Sequence, residues 1–389
     1  MEVSHQKVRL WTKDFILLLL ITTLSMTAIT TQMGTLPLLV AQIGGSKAIS
    51  GAIVGVLGIA ALFVRFPIGL MLDKYGRKIL LLIGLLILVI DFTLLNFLQT
   101  LLSLFLLRLV QGVGNSVQAT ASATMTADLI PKERLTIGLG YFSIAQSVPS
   151  AIGPLIGLTV VQNYGFESLF RVALVLTIIA FILSLFVNES LLVRETIPQT
   201  EVDTSLLKNP GVIFPSLIMF MIYLAQAGVV AFIAQLALER GILGAGYYFT
   251  LMSLVSVTVR LCFSSILFRL KRSLVIHVSI FFIIIAYGNI VFASSIIYLL
   301  ISAILFGIGI ANLMPLMNTI VLQSVSDSQT GKATAIFMLS LDVAYGGGAV
   351  IWGIIASVFG FEWMYFFCAM SGVIAWLIYF FHQKKFDMS

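Results

Sequence analysis

Uncharged apolar runs, each about 20 residues long, follow one another along almost the whole of this 389-residue chain. A helix of that length crosses a hydrocarbon core of about 30 Å. Within such a core every backbone N–H and C=O must be satisfied internally, so only helices or a closed barrel can span it. The runs are continuously apolar rather than alternating, which excludes barrel strands. They predict twelve spans, near residues 14–40, 48–72, 77–98, 101–128, 135–162, 168–188, 211–238, 245–268, 274–293, 296–323, 333–359 and 363–381. The predicted fold class is an all-α polytopic membrane protein.

Composition removes the soluble alternative. Only 10% of residues are charged and 60% are apolar, against about 25% charged in soluble domains. A water-soluble globule could not hide that much apolar surface. Charge also has a side. With the amino terminus inside, sixteen of the 22 Lys and Arg residues fall in or beside inner segments. The positive-inside rule then puts both termini in the cytoplasm, in the cell membrane. The net charge of +6 follows from this asymmetry and implies a lipid bilayer as surroundings, with no nucleic-acid partner. Cys262 and Cys368 lie inside spans without metal-type spacing. They read as small apolar fillers, and no metal or cofactor is expected.

The chain repeats at one ungapped offset. Arg65 pairs with Arg260, Lys74 with Arg269, Arg77 with Arg272, Gly112 with Gly307 and Gly153 with Gly348, each 195 residues apart. Gly165-Phe166-Glu167 returns as Gly360-Phe361-Glu362 at the same distance. Six spans per half give the halves one orientation, so the repeat is parallel, a standard transporter layout. The predicted organisation is a bundle over residues 1–189, an inner linker over 190–210 and a bundle over 211–389. The linker carries Glu195, Pro198, Glu201 and Asp203, a composition suited to a surface tether.

The loop after the second span reads Gly69-Leu-Met-Leu-Asp73-Lys74-Tyr-Gly76-Arg77-Lys78. It resembles the signature loop of the major facilitator superfamily, Gly-x-x-x-Asp-Arg/Lys-x-Gly-Arg-Arg/Lys. The resemblance implies the major facilitator fold, two parallel six-helix bundles in one chain acting as a monomer. It also implies a gating loop of Gly69, Asp73, Gly76 and Arg77, completed by Asp128 at the inner end of the fourth span. The residue chemistry is legible too. Gly76 permits a tight turn, Asp73 suits a helix N-terminus and Arg77 can pair with a carboxylate. In the second half Arg269 and Arg272 persist, but Ser264 and Phe268 replace the glycine and aspartate, so the latch is expected to act mainly through the first half.

Two further motifs bear on function. Arg108-x-x-Gln111-Gly112-x-Gly114-Asn115 resembles a second family motif, in which an intramembrane arginine precedes Gln-Gly. Arg108, Gln111 and Asn115 share one helical face. A charge at that depth costs at least about 2.5 kcal/mol, so it should face a cavity or a partner. In the fifth span, Gly153-Pro154-x-x-Gly157 is similar to the motif of the superfamily's antiporters, especially drug:proton exporters. The upstream glycine of that motif is missing, Val148 or Pro149 standing in its place.

Proton coupling needs a membrane-embedded group that can gain and lose a proton. Asp342 and Asp91 are the two carboxylates well inside spans. Asp342 lies near midplane on a face continuing through Tyr345; Asp91 matches Arg108 in depth and could pair with it. Thr27 and Thr30 belong to a hydroxyl stripe on the first span that can line a cavity or bond its own backbone. That span has no acid beyond Asp14, unlike many multidrug exporters of the family, which argues against an organic-cation preference. Tyr223, Gln226 and Asn312 add polar points in the second half. Arg65 and Arg260 are expected to snorkel or to bind helix ends of the opposite half. Few polar anchors among many apolar side chains suit amphipathic small molecules.

The expected function is proton-coupled export of such molecules by alternating access, driven by protons exchanged for substrate. A proton-coupled importer, or a non-transporting membrane sensor or scaffold, would use the same scaffold. An enzyme is not expected, since the chain has no nucleotide loop and no His/Cys/Asp cluster.

Overall fold

In the computed structural model, residues 10–131, 134–188, 206–267, 270–326 and 329–386 are described. Among them the regular structure is helical throughout, in eleven α-helices. These are α1 (Lys13–Thr30), α2 (Leu36–Gln42), α3 (Lys47–Tyr75), α4 (Arg77–Leu95), α5 (Leu101–Leu129) and α6 (Leu135–Leu185), then α7 (Pro210–Glu239), α8 (Tyr247–Leu267), α9 (Arg272–Val291), α10 (Ile296–Gln323) and α11 (Thr330–Phe386). Eight described helices are long and apolar enough to cross a membrane. The Gly69–Lys78 segment is helical up to Tyr75 and again from Arg77, turning only at Gly76 (φ 89°) between α3 and α4; the side chain of Asp73 lies outside the described residues, as does that of Arg65.

Local sequence sets the helix ends. Thr12 Oγ1 accepts from the Phe15 amide at 3.2 Å, and Ser46 Oγ from that of Ile49 at 3.3 Å. Thr100 and Ser103 form a reciprocal capping box at the start of α5. Each cap satisfies amides that the first helical turn leaves open. The first predicted span departs from a single helix: α1 stops at Thr30 and α2 restarts at Leu36. Gly34 between them has φ of 79°, a left-handed conformation, and Pro37 follows at the start of α2. A positive-φ glycine and a proline in succession end one helix and start another.

Conversely, α6 and α11 each run through what the sequence divides into two spans. Each bends at a non-helical glycine, Gly165 (φ 80°, ψ 175°) and Gly360 (φ 85°, ψ 172°). The two kinks are 195 residues apart, and the same shift relates the packing. A Cβ on Gly112 would lie against the Leu57 carbonyl, and one on Gly307 against that of Met252, 2.5 and 2.7 Å away. Gly114 and Gly309 likewise approach the carbonyls of Gly84 and Ser279. Four pairs of positions thus share one offset and one kind of backbone-to-backbone approach.

The helices after residue 209 bury one large apolar cluster, from Val212 to Tyr379, which Leu158 of α6 joins. Those before residue 189 bury three smaller ones. Along α1 the positions separating the two larger of these hold buried Thr22, Ser25 and Thr27; along α5 they hold Arg108, Gln111 and Ser116.

The two groups of helices meet most closely at the end away from the Gly69–Lys78 loop. There α3 lies on α11 with Gly51 against the Ala349 carbonyl and Gly353, and Gly55 against the Gly346 carbonyl. Alongside, α6 meets α8, where Thr250 Oγ1 donates to the Ala151 carbonyl at 2.9 Å. Gly34 faces Val230 and Ala234 of α7. Lys47 crosses the same rim, 3.0 Å from Glu239 and 3.9 Å from the centre of the Phe361 ring. Side chains no larger than hydrogen let helix backbones touch there.

Candidate functional site

Directly below this closure, α3 carries two neighbours on one turn. On one side Gly112 of α5 packs on Leu57 and Ala60; on the other Gly346 of α11 packs on Gly55 and Gly58. Arg108 lies one turn before Gly112 and Tyr345 lies next to Gly346, so the same turn of α3 sets their helices side by side. Arg108 is almost fully buried and donates through Nη1 to Gln111 Oε1. Gln111 in turn donates from Nε2 to Gln32 Oε1 at 3.2 Å, in the break between α1 and α2.

Asp91 of α4 is wholly buried, and neither carboxylate oxygen has a hydrogen-bond partner among the described residues. Along the Gln32–Gln111–Arg108 chain, Arg108 Nε and Gln32 Nε2 also lack partners there. Unmatched buried donors and acceptors are costly unless a proton, a water or a ligand serves them.

Asp342 is half-buried on α11, one turn from Tyr345. Its carbonyl lies 3.9 Å from where a Cβ on Gly58 would stand. In the helices after residue 209, the Tyr223 hydroxyl reaches Met314 Sδ at 3.5 Å. Gln226 accepts from the Tyr287 hydroxyl at 3.4 Å and approaches Met252 Sδ at 3.8 Å. Asn312 is half-buried on α10, and Asn115 on α5 keeps a buried Oδ1 without a partner among the described residues. Thr27 donates to the Thr23 carbonyl at 2.7 Å; Thr30 donates to those of Met26 and Pro149 at 2.8 and 2.9 Å. In this conformation both hydroxyls serve backbone. Gly153 and Gly157 press on Thr30 and Thr31, so the Gly153-Pro154-Gly157 segment joins α6 to α1. Thr23 also reaches the Ala145 carbonyl at 3.4 Å, one that Pro149 leaves without an amide donor.

Two residues outside the predicted site belong to it by position. Gln32 was visible only as one of many polar residues in the first span. Arg260 donates from Nε to the Ala311 carbonyl of α10 at 2.7 Å, within its own group of helices rather than across to the other. Ala311 stands three residues before Met314, the contact of the Tyr223 hydroxyl. The match of Arg260 with Arg65 at the repeat offset was the available signal.

At the loop end, Arg77 Nε lies 2.7 Å from Asp128 Oδ2, and both side chains are largely buried. The second half has the same geometry with a neutral partner: Arg272 Nη1 donates to Gln323 Oε1 at 2.8 Å, exposed. Arg77 to Arg272 and Asp128 to Gln323 are both shifts of 195 residues. Removing one member of a buried pair strands the other's charge. Asp128→Asn is therefore expected to cost about 3 kcal/mol, and Arg272→Gln only about 0.5 kcal/mol. Melting of the purified chain in detergent checks the contrast, with a clear drop for the first and little change for the second.

A kinked all-helical bundle, with a polar and charged set buried between two groups of membrane-spanning helices, defines a multi-pass membrane transporter. The family model of the Major Facilitator Superfamily matches residues 18–298 and 272–388, and the chain belongs to that family. An uncharacterised MFS-type transporter of Methanocaldococcus jannaschii is 24% identical over 347 residues, 86% of this chain and 89% of the relative. The staphylopine export protein of Staphylococcus aureus is 23% identical, covering 89% of this chain and 90% of its own. A multidrug resistance protein of Klebsiella pneumoniae is 35% identical over a shorter stretch, 32% of this chain and 30% of the relative. Among solved structures, a bacterial homolog of the lysosomal transporter Spinster superposes with a TM-score of 0.81 at 16% identity, over 95% of this chain and 96% of that one. A point mutant of the nucleoside transporter NupG gives 0.80 at 17% identity, over 94% and 98%. These likenesses fix the fold. The chain carries a small-molecule substrate across a membrane and is not an enzyme.

Proposed function

We propose that this chain is a proton-driven exporter of small amphipathic molecules, working by alternating access in the plasma membrane. Residues 1–189 and 211–389 are the two moving bundles, joined by the linker 190–210. They cross the membrane twelve times in a single working chain, with both termini in the cytoplasm. The observation that carries the reading is the placement of Asp342, Tyr345 and Arg108 immediately below a tight glycine closure. That closure seals one end and leaves the polar set facing the other. With the basic loops inside, the sealed end is the outer one, so substrate enters the site from the cytoplasm.

Export is favoured by the staphylopine exporter, similar over most of both chains. It is also favoured by the multidrug resistance proteins of Klebsiella pneumoniae and Bacillus subtilis, and by the Gly153-Pro154-Gly157 segment seated on α1. Protonation of Asp342, with Asp91 as a second proton site behind Arg108, supplies the drive. The equilibrium between end states shifts only by the difference in proton or substrate affinity between them. The gating residues Gly69, Asp73, Gly76, Arg77 and Asp128 bias the cytoplasmic end.

The test is proton release from acid-loaded inverted vesicles on adding members of a compound panel. An exporter exchanges interior protons for added compound. Proton movement in the same direction as the compound would make the chain an importer. No proton movement with any compound, in vesicles that hold their gradient, would refute proton-driven transport.

A further inference from the structure

Pro315 interrupts the hydrogen-bond ladder of α10 at one point. It has no N–H, so the carbonyl of Ala311, four residues earlier, receives no bond from it. That carbonyl is not left open. Arg260 of the neighbouring α8 donates to it from Nε at 2.7 Å. A hydrogen bond from a guanidinium is charge-assisted, so a side chain of another helix holds the gap more firmly than a neutral donor would. The carbonyl that Pro149 frees in α6, by contrast, is met by the Thr23 hydroxyl at 3.4 Å.

The repeat places this interruption in one half alone. Thr120 of α5 stands 195 residues before Pro315, and Ser116 the same distance before Ala311. Thr120 has an amide to give, and its hydroxyl donates to the Ser116 carbonyl as well, at 2.8 Å. At this level α5 is closed on itself, whereas α10 is closed by α8.

The gap also separates two anchored stretches of α10. On the outer side, Gly307 packs on Met252 and Val255 of α8, and Gly309 on Ser279 and Ile283 of α9. On the inner side, Gln323 accepts from Arg272 at 2.8 Å and the Ser324 carbonyl accepts from Asn209 at 2.9 Å. Gly211 presses on the Ser324 side chain beside them. Sharp helix bends, of about 20° or more, fall at points like Pro315. Gln323 stands eight residues beyond it. That is about 12 Å of helix, so a bend of about 20° moves the inner end by about 4 Å.

We propose that α10 bends at Ala311–Pro315 between the transport states, and that Arg260 is the positioning residue that fixes its present shape. This rests on the reading of the chain as an alternating-access transporter, and not on its direction, substrate or coupling ion. Letting go of one carbonyl frees the inner stretch without breaking a bond within the helix. The inner end can then move while the contacts of Gly307 and Gly309 hold.

The test places pairs of spin labels on the full chain in nanodiscs, in a Cys262→Ser background. Ile79→Cys with Leu322→Cys spans the inner ends of the two bundles, and Phe97→Cys with Ile297→Cys the outer ends; all four positions are exposed. Distances are read by double electron–electron resonance. Arg260→Gln is expected to shift the inner distance by about 4 Å and to leave the outer one unchanged. Arg260→Lys keeps a charged donor and is expected to keep the wild-type distance. Pro315→Ala returns an amide to the Ala311 carbonyl, so in that background Arg260→Gln is expected to change neither distance. Should Arg260→Gln alone fail to fold, recovery of the fold on adding Pro315→Ala is the same coupling in another form. An inner distance unchanged by Arg260→Gln overturns the proposal, as does an equal shift in both backgrounds or a shift of both pairs together. Misfolding that Pro315→Ala does not correct overturns it too. The distances are read without compound or pH gradient, so the hinge and the exporter reading fail independently.

Discussion

Asparagine in place of Asp342 is expected to abolish proton-driven transport while substrate still binds. The side chain stands half-buried on α11, one turn from Tyr345 and just below the contact of Gly55 and Gly58 with Gly346. Any proton arriving there arrives at the hinge between sealed and open ends. Asparagine keeps the shape and most of the hydrogen bonding of aspartate, but it cannot exchange a proton at neutral pH. The variant should therefore keep its thermal stability and ligand affinity and lose uphill flux. In proteoliposomes with an imposed pH gradient, flux should fall to the level of empty liposomes, while exchange of labelled for unlabelled substrate persists. Antiport at the wild-type rate would remove Asp342 from the coupling mechanism.

Gly55→Val is expected to be nearly as damaging, for a steric reason. A Cβ at Gly55 would run into the Gly346 carbonyl and lie 2.8 Å from the Val350 side chain. The collision is with backbone, so no rotamer change relieves it, and α3 and α11 must separate. The closed end then becomes the unfavourable state. Access to the site from the outer side should rise roughly tenfold or more, the ratio that a population shift of about 1.4 kcal/mol produces. The readout is labelling of a Tyr345→Cys reporter by an impermeant maleimide, in a Cys262→Ser background. Gly347→Val is the control, because a Cβ there meets nothing within 4 Å. Equal labelling of the Gly55 and Gly347 variants would show that this contact does not set the closure.

The sequence exposed the scaffold far better than the site, and the reason is physical. Spans are encoded locally, by apolar runs that the bilayer requires, so the helices fall close to where hydropathy puts them. The 195-residue shift was readable because repeated backbone contacts need repeated glycines. Gly112 with Gly307 is a packing requirement written as a residue type, and Gly165 with Gly360 is a backbone requirement, each glycine standing at positive φ. The break at 31–35 was signalled by Gly34 and Pro37, yet a continuous apolar run masked it. Interactions across long separations were not readable. Nothing local indicates that Lys47 meets Glu239, that Gln32 meets Gln111, or that Arg260 turns to α10 rather than to the opposite bundle. Those depend on which faces meet after folding. The hydroxyls of Thr27 and Thr30 show the same limit, since polar spacing alone does not separate a ligand donor from one bound to backbone.

The interruption at 31–35 has a mechanical consequence. Gln32 sits in that interruption and, through Gln111, holds the guanidinium of Arg108. Two residues on, Gly34 rests on Val230 and Ala234 of α7, across the boundary between the bundles. The interruption is thus a lever with one end, Gly34, on the opposite bundle and the other, Gln32, tied to the arginine through Gln111. Parting the bundles at the outer rim pulls the lever and loosens the hold on Arg108, so opening that end and releasing whatever the arginine grips become one motion.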